Sequence, residues 1–305
     1  MARVLVVGMN PAWQSVLSIP DLQIDGVNRA REAHHLASGK GINCARALSR
    51  MGHDVTVMQV LAGENGRLCL QACEKLGIRS IHVWAQGETR QCLTLCDEKK
   101  GTVTEVIEPF AVDWSPHLSA SLFRAIEGLE AFNALVILGT LPAGCPGNFY
   151  HQVLQRVSAE LRVLDALQGL SLDDLRLVHW LKVNRSEWDS YRLLQSDTIP
   201  VNLSVLISNG SKPAELIVKN STQGWLRPSV LTNVQNPIGA GDTMTASLVD
   251  QILAGREAVV AAKMAMALAG ASCLDKLPAH WNEKIAEEIL TQIQFEPTSQ
   301  LRGGA

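Results

Sequence analysis

Ala134-Leu-Val-Ile-Leu138 is an unbroken apolar run stopped by Gly139, and its relation to the next thirty residues decides the fold. A helical pattern covers residues 147–161, and a second short run, Arg162-Val-Leu-Asp165, comes directly after. Apolar runs this short, bounded by turn residues, fit strands buried on both faces. Two such strands joined through a helix run parallel. The same alternation recurs on either side. Upstream lie Arg3-Val-Leu-Val-Val-Gly8, a helix over 41–51, a strand over 55–61, a helix over 66–76, a strand over 78–83 and a helix over 115–129. Downstream lie strands over 177–183, 204–208 and 214–218, then helices over 242–254, 257–273 and 281–293. Residues 300–305 read as a disordered tail.

This alternation predicts an α/β fold with a mostly parallel central sheet covered by helices on both faces. Two stretches break the rhythm, 11–36 and 87–110. The first contains Asp25-Gly26, a hairpin-turn signal, and the second alternates around Asp97–Gly101. They read as an antiparallel excursion over the sheet edge, either a small β lid or two surface hairpins without a role. No repeat or low-complexity linker divides the chain, so residues 1–305 are expected to form a single domain with these segments inserted.

The 305 residues are 47% hydrophobic and 19% charged, with a formal charge of −3, which is ordinary for a globular protein. Without a Lys/Arg cluster there is no phosphate-neutralising surface, so no nucleic-acid partner is expected. The longest apolar stretch, 258–271, contains Lys263 and falls short of the roughly 20 residues that span a bilayer. No membrane partner is expected either. The first apolar run ends at Asn10-Pro11 before reaching signal-peptide form, so the expected location is cytoplasmic. The seven cysteines include no CxxC and no His at ligand spacing; they read as buried free thiols, with no directly ligated metal.

Several segments carry candidate chemistry. In Asn236-Pro-Ile-Gly-Ala-Gly-Asp242 a glycine turn enters a helix, and such a turn aims unpaired N–H groups at one point where an anion can sit. Asp242 there is either a helix cap or an acceptor for a substrate hydroxyl's proton. Ser38-Gly-Lys-Gly-Ile-Asn43 is a second such turn, either an anion site using Lys40 and Asn43 or a plain helix entry with a solvated lysine. Arg90 offers a guanidinium fork for phosphate, or is simply a solvated edge-strand residue. Asn184 and Glu187, three apart after Lys182, either organise hydrated Mg2+ or form a capping box. Ser208-Asn-Gly210 ends a strand at the sheet's carboxyl edge, where α/β sheets bind ligands.

Taken in order, these segments resemble the PfkB carbohydrate kinase family. The resemblance runs from Val4 to about Cys273 through Asn10-Pro-Ala12, the turn at 38–43, Gly87-Glu-Thr-Arg90, Gly139-Thr-Leu-Pro-Ala-Gly144, Lys182-Val-Asn184 with Glu187, Ser208-Asn-Gly210 and Asn236 to Asp242. It is most similar to the sugar-phosphate branch, the 1-phosphofructokinases and tagatose-6-phosphate kinases. The resemblance implies a ribokinase-like three-layer sandwich with a β lid, and ATP with Mg2+ as cofactors. It implies that Asp242 is the general base and that Gly239, Ala240 and Gly241 form the anion hole. Lys182, Asn184, Glu187, Ser208 and Gly210 would lie on the ATP and Mg2+ side, while Gln14, Gly39, Lys40, Asn43 and Arg90 would hold the acceptor.

Two cations at the acceptor side, Lys40 and Arg90, favour a phosphorylated acceptor over a neutral one. The implied activity is phosphorylation of a ketohexose phosphate, with fructose 1-phosphate giving fructose 1,6-bisphosphate first and tagatose 6-phosphate or a related sugar second. A non-catalytic sugar-phosphate sensor is a third reading. The resemblance of the lid to the family's, which often doubles as a dimer contact, implies a homodimer. The sequence departs from the family pattern at Gln14, where relatives usually carry aspartate, and at Ser38, Thr140 and Pro213. Residues 165–171 match the family's Asp-x-Ser-Gly strand end only loosely. These departures bear on the acceptor rather than on phosphoryl transfer, because Asp242 and its glycines are intact.

Overall fold

The computed structural model describes residues 1–191, 199–218 and 222–298. The expected tail over 300–305 lies outside the described residues. The central sheet has ten strands. Seven run parallel: β1 (Arg3–Val7), β4 (Asp54–Leu61), β5 (Arg79–Trp84), β10 (Phe132–Leu138), β11 (Ala159–Asp165), β12 (Trp180–Asn184) and β13 (Ser204–Ser208). Three antiparallel strands extend one edge, β14 (Ala214–Val218), β15 (Thr222–Arg227) and β16 (Gln294–Pro297), in the order β16-β15-β14-β13-β12-β11-β10-β1-β4-β5.

The apolar runs are continuous because both faces are covered. Along β1, Val4 and Val6 enter one core while Leu5 and Val7 enter the other. The first core packs against α1 (Lys40–Arg50), α2 (Gly63–Lys75), α7 (Ala240–Leu253), α8 (Ala258–Cys273) and α9 (Glu283–Gln292). The second packs against α3 (Pro116–Ile126), α4 (Phe149–Arg156) and the single turn α5 (Leu172–Leu175). A last short helix, α6 (Arg185–Ser190), follows β12. No described helix is long and apolar enough to cross a membrane.

After β1 the chain builds outward through β4 and β5, then returns to build from β10 to β13 on the other side of β1. The direction therefore reverses between β1 and β10, and a crevice opens there at the carboxyl ends of the strands. Gly8, just past β1, lies under α1: a Cβ at position 8 would fall 2.4 Å from the Cα of Gly41. That close approach seats the head of α1 over the crevice.

The two irregular stretches form a second sheet with strand order β3-β2-β7-β8, built from β2 (Ala12–Ile19), β3 (Glu32–Ser38), β7 (Gln91–Asp97) and β8 (Thr102–Ile107). A two-stranded strap of β6 (Gln86–Glu88) and β9 (Ala111–Asp113) ties its base. The Asp97–Gly101 turn is as expected, with the Gly101 N–H bonded to the Asp97 carbonyl at 2.9 Å. Asp25-Gly26 is not a two-residue hairpin turn. It sits inside a longer connection, residues 20–31, in which Asn28 Oδ1 accepts from the Gln23 N–H at 2.8 Å.

Three further differences from the sequence reading have physical causes. The helix expected over 147–161 ends at Arg156, because Ala159 and Leu161 are taken up by pairing with Phe132 and Ala134. β15 carries little signal of its own, since Gly224 weakens its pattern. The missing side chain lets β16 approach, as a Cβ there would lie 2.5 Å from the Phe295 ring. The helix expected over 281–293 stops at Gln292 so that β16 can pair with β15. All seven cysteines are free thiols, with Cys44, Cys69, Cys73 and Cys92 buried.

Candidate active site

The crevice and the inner face of the lid enclose a cavity of about 740 Å3. Gln14, Gly39, Lys40, Asn43, Arg90, Lys182, Asn184, Glu187, Ser208, Gly239, Gly241 and Asp242 all line it, although they are spread over more than 220 residues of chain. Two of the expected residues do not. Gly210 lies in the exposed turn after β13, and the Ala240 N–H donates to the Pro237 carbonyl at 3.3 Å, outside the lining.

Asp242 stands in the first turn of α7. Gly239 before it adopts φ 79°, ψ −2°, a left-handed conformation that glycine takes without strain. Asn236 shapes the approach, its Nδ2 donating to the Lys276 carbonyl at 2.9 Å and its Oδ1 accepting from the Ile238 N–H at 3.0 Å. Thr243 Oγ1 donates back to the Gly239 carbonyl at 3.0 Å, the same carbonyl that accepts the Thr243 N–H at 2.9 Å. Asp242 makes no cap bond. Its Oδ2 accepts from Asn43 Nδ2 at 2.8 Å. Burial and the nearby Asp165 carboxylate push the Asp242 carboxyl up to about 6, against the pull of Asn43, Lys40 and Lys182. Of the two readings of Asp242, the cap is therefore excluded.

Asn43 is itself aimed. Its Oδ1 accepts from Ser38 Oγ at 3.2 Å and from the Arg46 guanidinium at 3.2 Å. Arg46 also donates to the carbonyls of Ala37 and Pro278, which links the lid root, α1 and the loop before α9. Its pKa is lowered to about 10 by burial.

The centre of the site is a residue whose motif matched poorly. Asp165, at the end of β11, is fully buried and joins three partners: Lys182 Nζ at 2.9 Å, Lys40 Nζ at 2.9 Å and Thr245 Oγ1 at 2.8 Å. Burial would raise its pKa, but the two ammonium groups overcome it and hold the carboxyl below its ordinary value. Lys40 also reaches Glu187 Oε1 at 3.3 Å, and the surrounding carboxylates hold its ammonium above the usual range despite burial. Lys40 is thus not a solvated lysine, and it faces Asp165 rather than the lid.

Asn184 and Glu187 make the capping box of α6, with Glu187 N–H donating to Asn184 Oδ1 at 2.8 Å and Asn184 N–H to Glu187 Oε2 at 2.9 Å. The box leaves Glu187 Oε1 facing the cavity beside Lys40. Ser208 Oγ donates to the Val183 carbonyl at 3.3 Å on the cavity wall. Among the described residues, no three His, Cys, Asp or Glu side chains converge as a metal cage.

On the lid side, Gln14 is buried and donates from Nε2 to Thr94 Oγ1 at 2.6 Å. Arg90 is not on an edge strand. It precedes β7, which lies between β2 and β8, and it donates to the Asn10 carbonyl at 3.2 Å. Its neighbour Thr89 is fully buried and accepts the Ala62 N–H at 2.9 Å, which pins the segment to the head of α2. Asn10 Nδ2 donates to Thr140 Oγ1 at 2.8 Å, so the ends of β1 and β10 are bonded across the crevice. Sequence reasoning missed Asp165, Thr245 and Arg46. Only Asp165 carries a local signal, a lone carboxylate closing an apolar strand at the ligand-binding edge.

Solved structures share the fold. Phosphofructokinase-2 from Escherichia coli, in complex with potassium, superposes with a TM-score of 0.81 at 20% identity, covering 96% of this chain and 99% of that one. A possible 1-phosphofructokinase from Thermotoga maritima gives 0.80 at 20%, covering 97% and 99%. Ribokinase from Thermotoga maritima gives 0.72 at 17%, covering 95% and 100%. These likenesses show a ribokinase-like fold. The family model described as pfkB family carbohydrate kinase matches residues 9–284. From its own sequence over nearly its whole length, this chain belongs to the pfkB family of carbohydrate kinases.

Proposed function

We propose that the protein is an ATP-dependent kinase that phosphorylates a ketohexose phosphate, with fructose 1-phosphate as acceptor and fructose 1,6-bisphosphate as product. The observation that carries this reading is Asp242: a buried carboxyl with its pKa raised to about 6, held by Asn43 beside a glycine turn, in one cavity with Arg90. A base with that pKa is ionised at neutral pH, yet basic enough to take the proton of an attacking hydroxyl. Phosphoryl transfer otherwise asks for positioning and charge stabilisation. The first-turn N–H groups of α7 at Gly241 and Asp242 suit the transferred phosphoryl group, and Gly241 leaves the approach open. Lys182 sits beside that turn, since a Cβ at Gly241 would lie 2.9 Å from its Nζ. Arg90 is the acceptor-phosphate ligand in this reading, and Lys40 serves the transferred phosphate.

Mg2+ keeps several waters and needs only one or two carboxylates. Glu187 Oε1, facing the cavity and partly exposed, fits that requirement. A bound Mg2+ would neutralise charge on the ATP phosphates. Homodimerisation through the lid belongs to the same proposal: Ile24 and Val27 in the 20–31 connection are 88% and 82% exposed, and Val106 on β8 is 49% exposed. Sedimentation of the purified protein at micromolar concentration should give twice the chain mass.

A coupled ADP-release assay over a panel of sugars and sugar phosphates tests the function. Fructose 1-phosphate should give the highest kcat/KM. Arg90→Ala should raise its KM at least tenfold, with less effect on the KM of ATP. Turnover of none of the sugar phosphates refutes the reading.

A further inference from the structure

Beyond the residues that motifs reveal, the lid contributes a carboxylate that no pattern predicted. Glu105 lies on β8, directly opposite Thr94 of β7, while Cys92 of β7 lies opposite both Ile107 and Gln14 of β2. Side chains opposite one another, and those two residues apart, share a sheet face. Gln14, Thr94, Cys92, Glu105 and Ile107 therefore belong to one face. It is the face turned to the cavity, because Gln14, Cys92, Glu105 and Ile107 all line it.

The polar groups at this end of the cavity are unspent. The Glu105 carboxylate makes no hydrogen bond or ion pair with another described residue. Arg90 influences its charge, yet the two form no salt bridge. Arg90 Nε and Asn10 Oδ1 are buried and have no partner. A carboxylate, a guanidinium N–H and an amide oxygen thus converge on one space, each able to bond and none satisfied by the protein. Leaving Arg90 Nε and Asn10 Oδ1 buried and unpaired is costly, and a ligand with both hydroxyls and an anionic group would satisfy them while reaching the exposed Glu105 carboxylate. If Glu105 served only to neutralise Arg90, the two would be paired. The Glu105 side chain is exposed on the cavity wall, so a ligand hydroxyl would replace water there rather than another protein group.

We infer that Glu105 is a specificity-determining residue of the acceptor subsite, accepting hydrogen bonds from acceptor hydroxyls while Arg90 holds the acceptor's anionic group. Gln14 and Thr94 are already bonded to each other, so Glu105 supplies the charged acceptor on this face. The inference rests on the kinase reading above and deepens it. A site built to bond a hydroxyl discriminates strongly against analogues that lack it, because the protein group is then left unpaired.

The test uses the full chain, wild type and Glu105→Gln, with the acceptor panel and with deoxy analogues of the best acceptor. Glu105→Gln keeps size and shape but replaces a charged acceptor with a neutral one. The expected result is an acceptor KM raised about tenfold, with the ATP KM within about twofold and the melting temperature unchanged. One deoxy analogue should be discriminated against by the wild type and not by the variant. That loss of discrimination is a readout a structural role would not move. An acceptor KM within about twofold of wild type, with discrimination intact, overturns the Glu105 assignment while leaving the kinase reading standing. If only unphosphorylated sugars are turned over, the ketohexose-phosphate reading fails and Glu105 is judged by the same ratios. Turnover of no acceptor overturns both.

Discussion

Replacing the proposed base should make the protein more stable while it destroys turnover. Asp242 has a folded pKa of about 6 against an ordinary value of 3.8, chiefly because it is buried and secondly because Asp165 is near. A carboxyl whose pKa is raised on folding is harder to ionise in the native state than in the unfolded chain. Above pH 6 that difference works against the fold; well below pH 3.8, where both states are protonated, it vanishes. Two pKa units correspond to about 3 kcal/mol. Asp242→Asn removes the charge and keeps an oxygen to accept from Asn43 Nδ2. At pH 7.5 the variant should be up to about 3 kcal/mol more stable, a rise in melting temperature of roughly 4–8 °C for a chain of this size. At about pH 3 the gain should be near zero. Loss of a general base should cost about 10²–10⁴-fold in kcat. Calorimetry at the two pH values, beside the ADP-release assay, reads both effects. Equal or lower stability at pH 7.5, or the same gain at both pH values, would refute this account of Asp242.

Asp165→Asn should act in the opposite direction on stability. It strands the Lys182 ammonium, whose side chain is only 5% exposed, at a cost of about 3–5 kcal/mol, whereas the part-exposed Lys40 adds at most about 1 kcal/mol. Because the folded Asp165 pKa is lowered, the loss should be complete at neutral pH and shrink only as the pH falls below 3.8; denaturant titration at pH 7 and pH 3.5 measures it. In the pH profile of kcat/KM, wild-type activity should decline about tenfold per unit below about pH 6, as Asp242 takes up its proton. In Asp165→Asn that acid limb should shift to lower pH, since the neighbouring negative charge is gone; an unmoved limb contradicts the coupling. Gly241→Ala would place a Cβ 2.9 Å from Lys182 Nζ, which is tethered to Asp165 and has little room to yield. A displacement of that kind should lower kcat by about 10²-fold with a nearly unchanged melting temperature, and an activity near wild type would show the turn to be looser than described.

The fold was readable because its strands are short apolar runs between helical patterns, and burial on both faces is written into composition alone. The lid was readable as an interruption of that rhythm. What escaped lay where pairing outranks local pattern: β15 and β16 exist because each covers the other, and Ala159 to Leu161 are strand because Phe132 to Ala134 pair with them.

For the site, the sequence alone determined which groups have special local geometry. Asp242 beside its glycines, the turn carrying Lys40 and Asn43, and the Asn184–Glu187 box are each visible within a few residues, because helix entries constrain only nearby backbone. Only the tertiary structure decided what those groups face. It made Asp165 the shared counter-ion of two lysines 142 positions apart in number, turned Lys40 away from the lid, and placed Arg90 and Glu105 on the same cavity without pairing them to each other. The physical reason is that charge acts through space at a few ångströms, and the distance between strand ends is set by sheet order, not by separation along the chain.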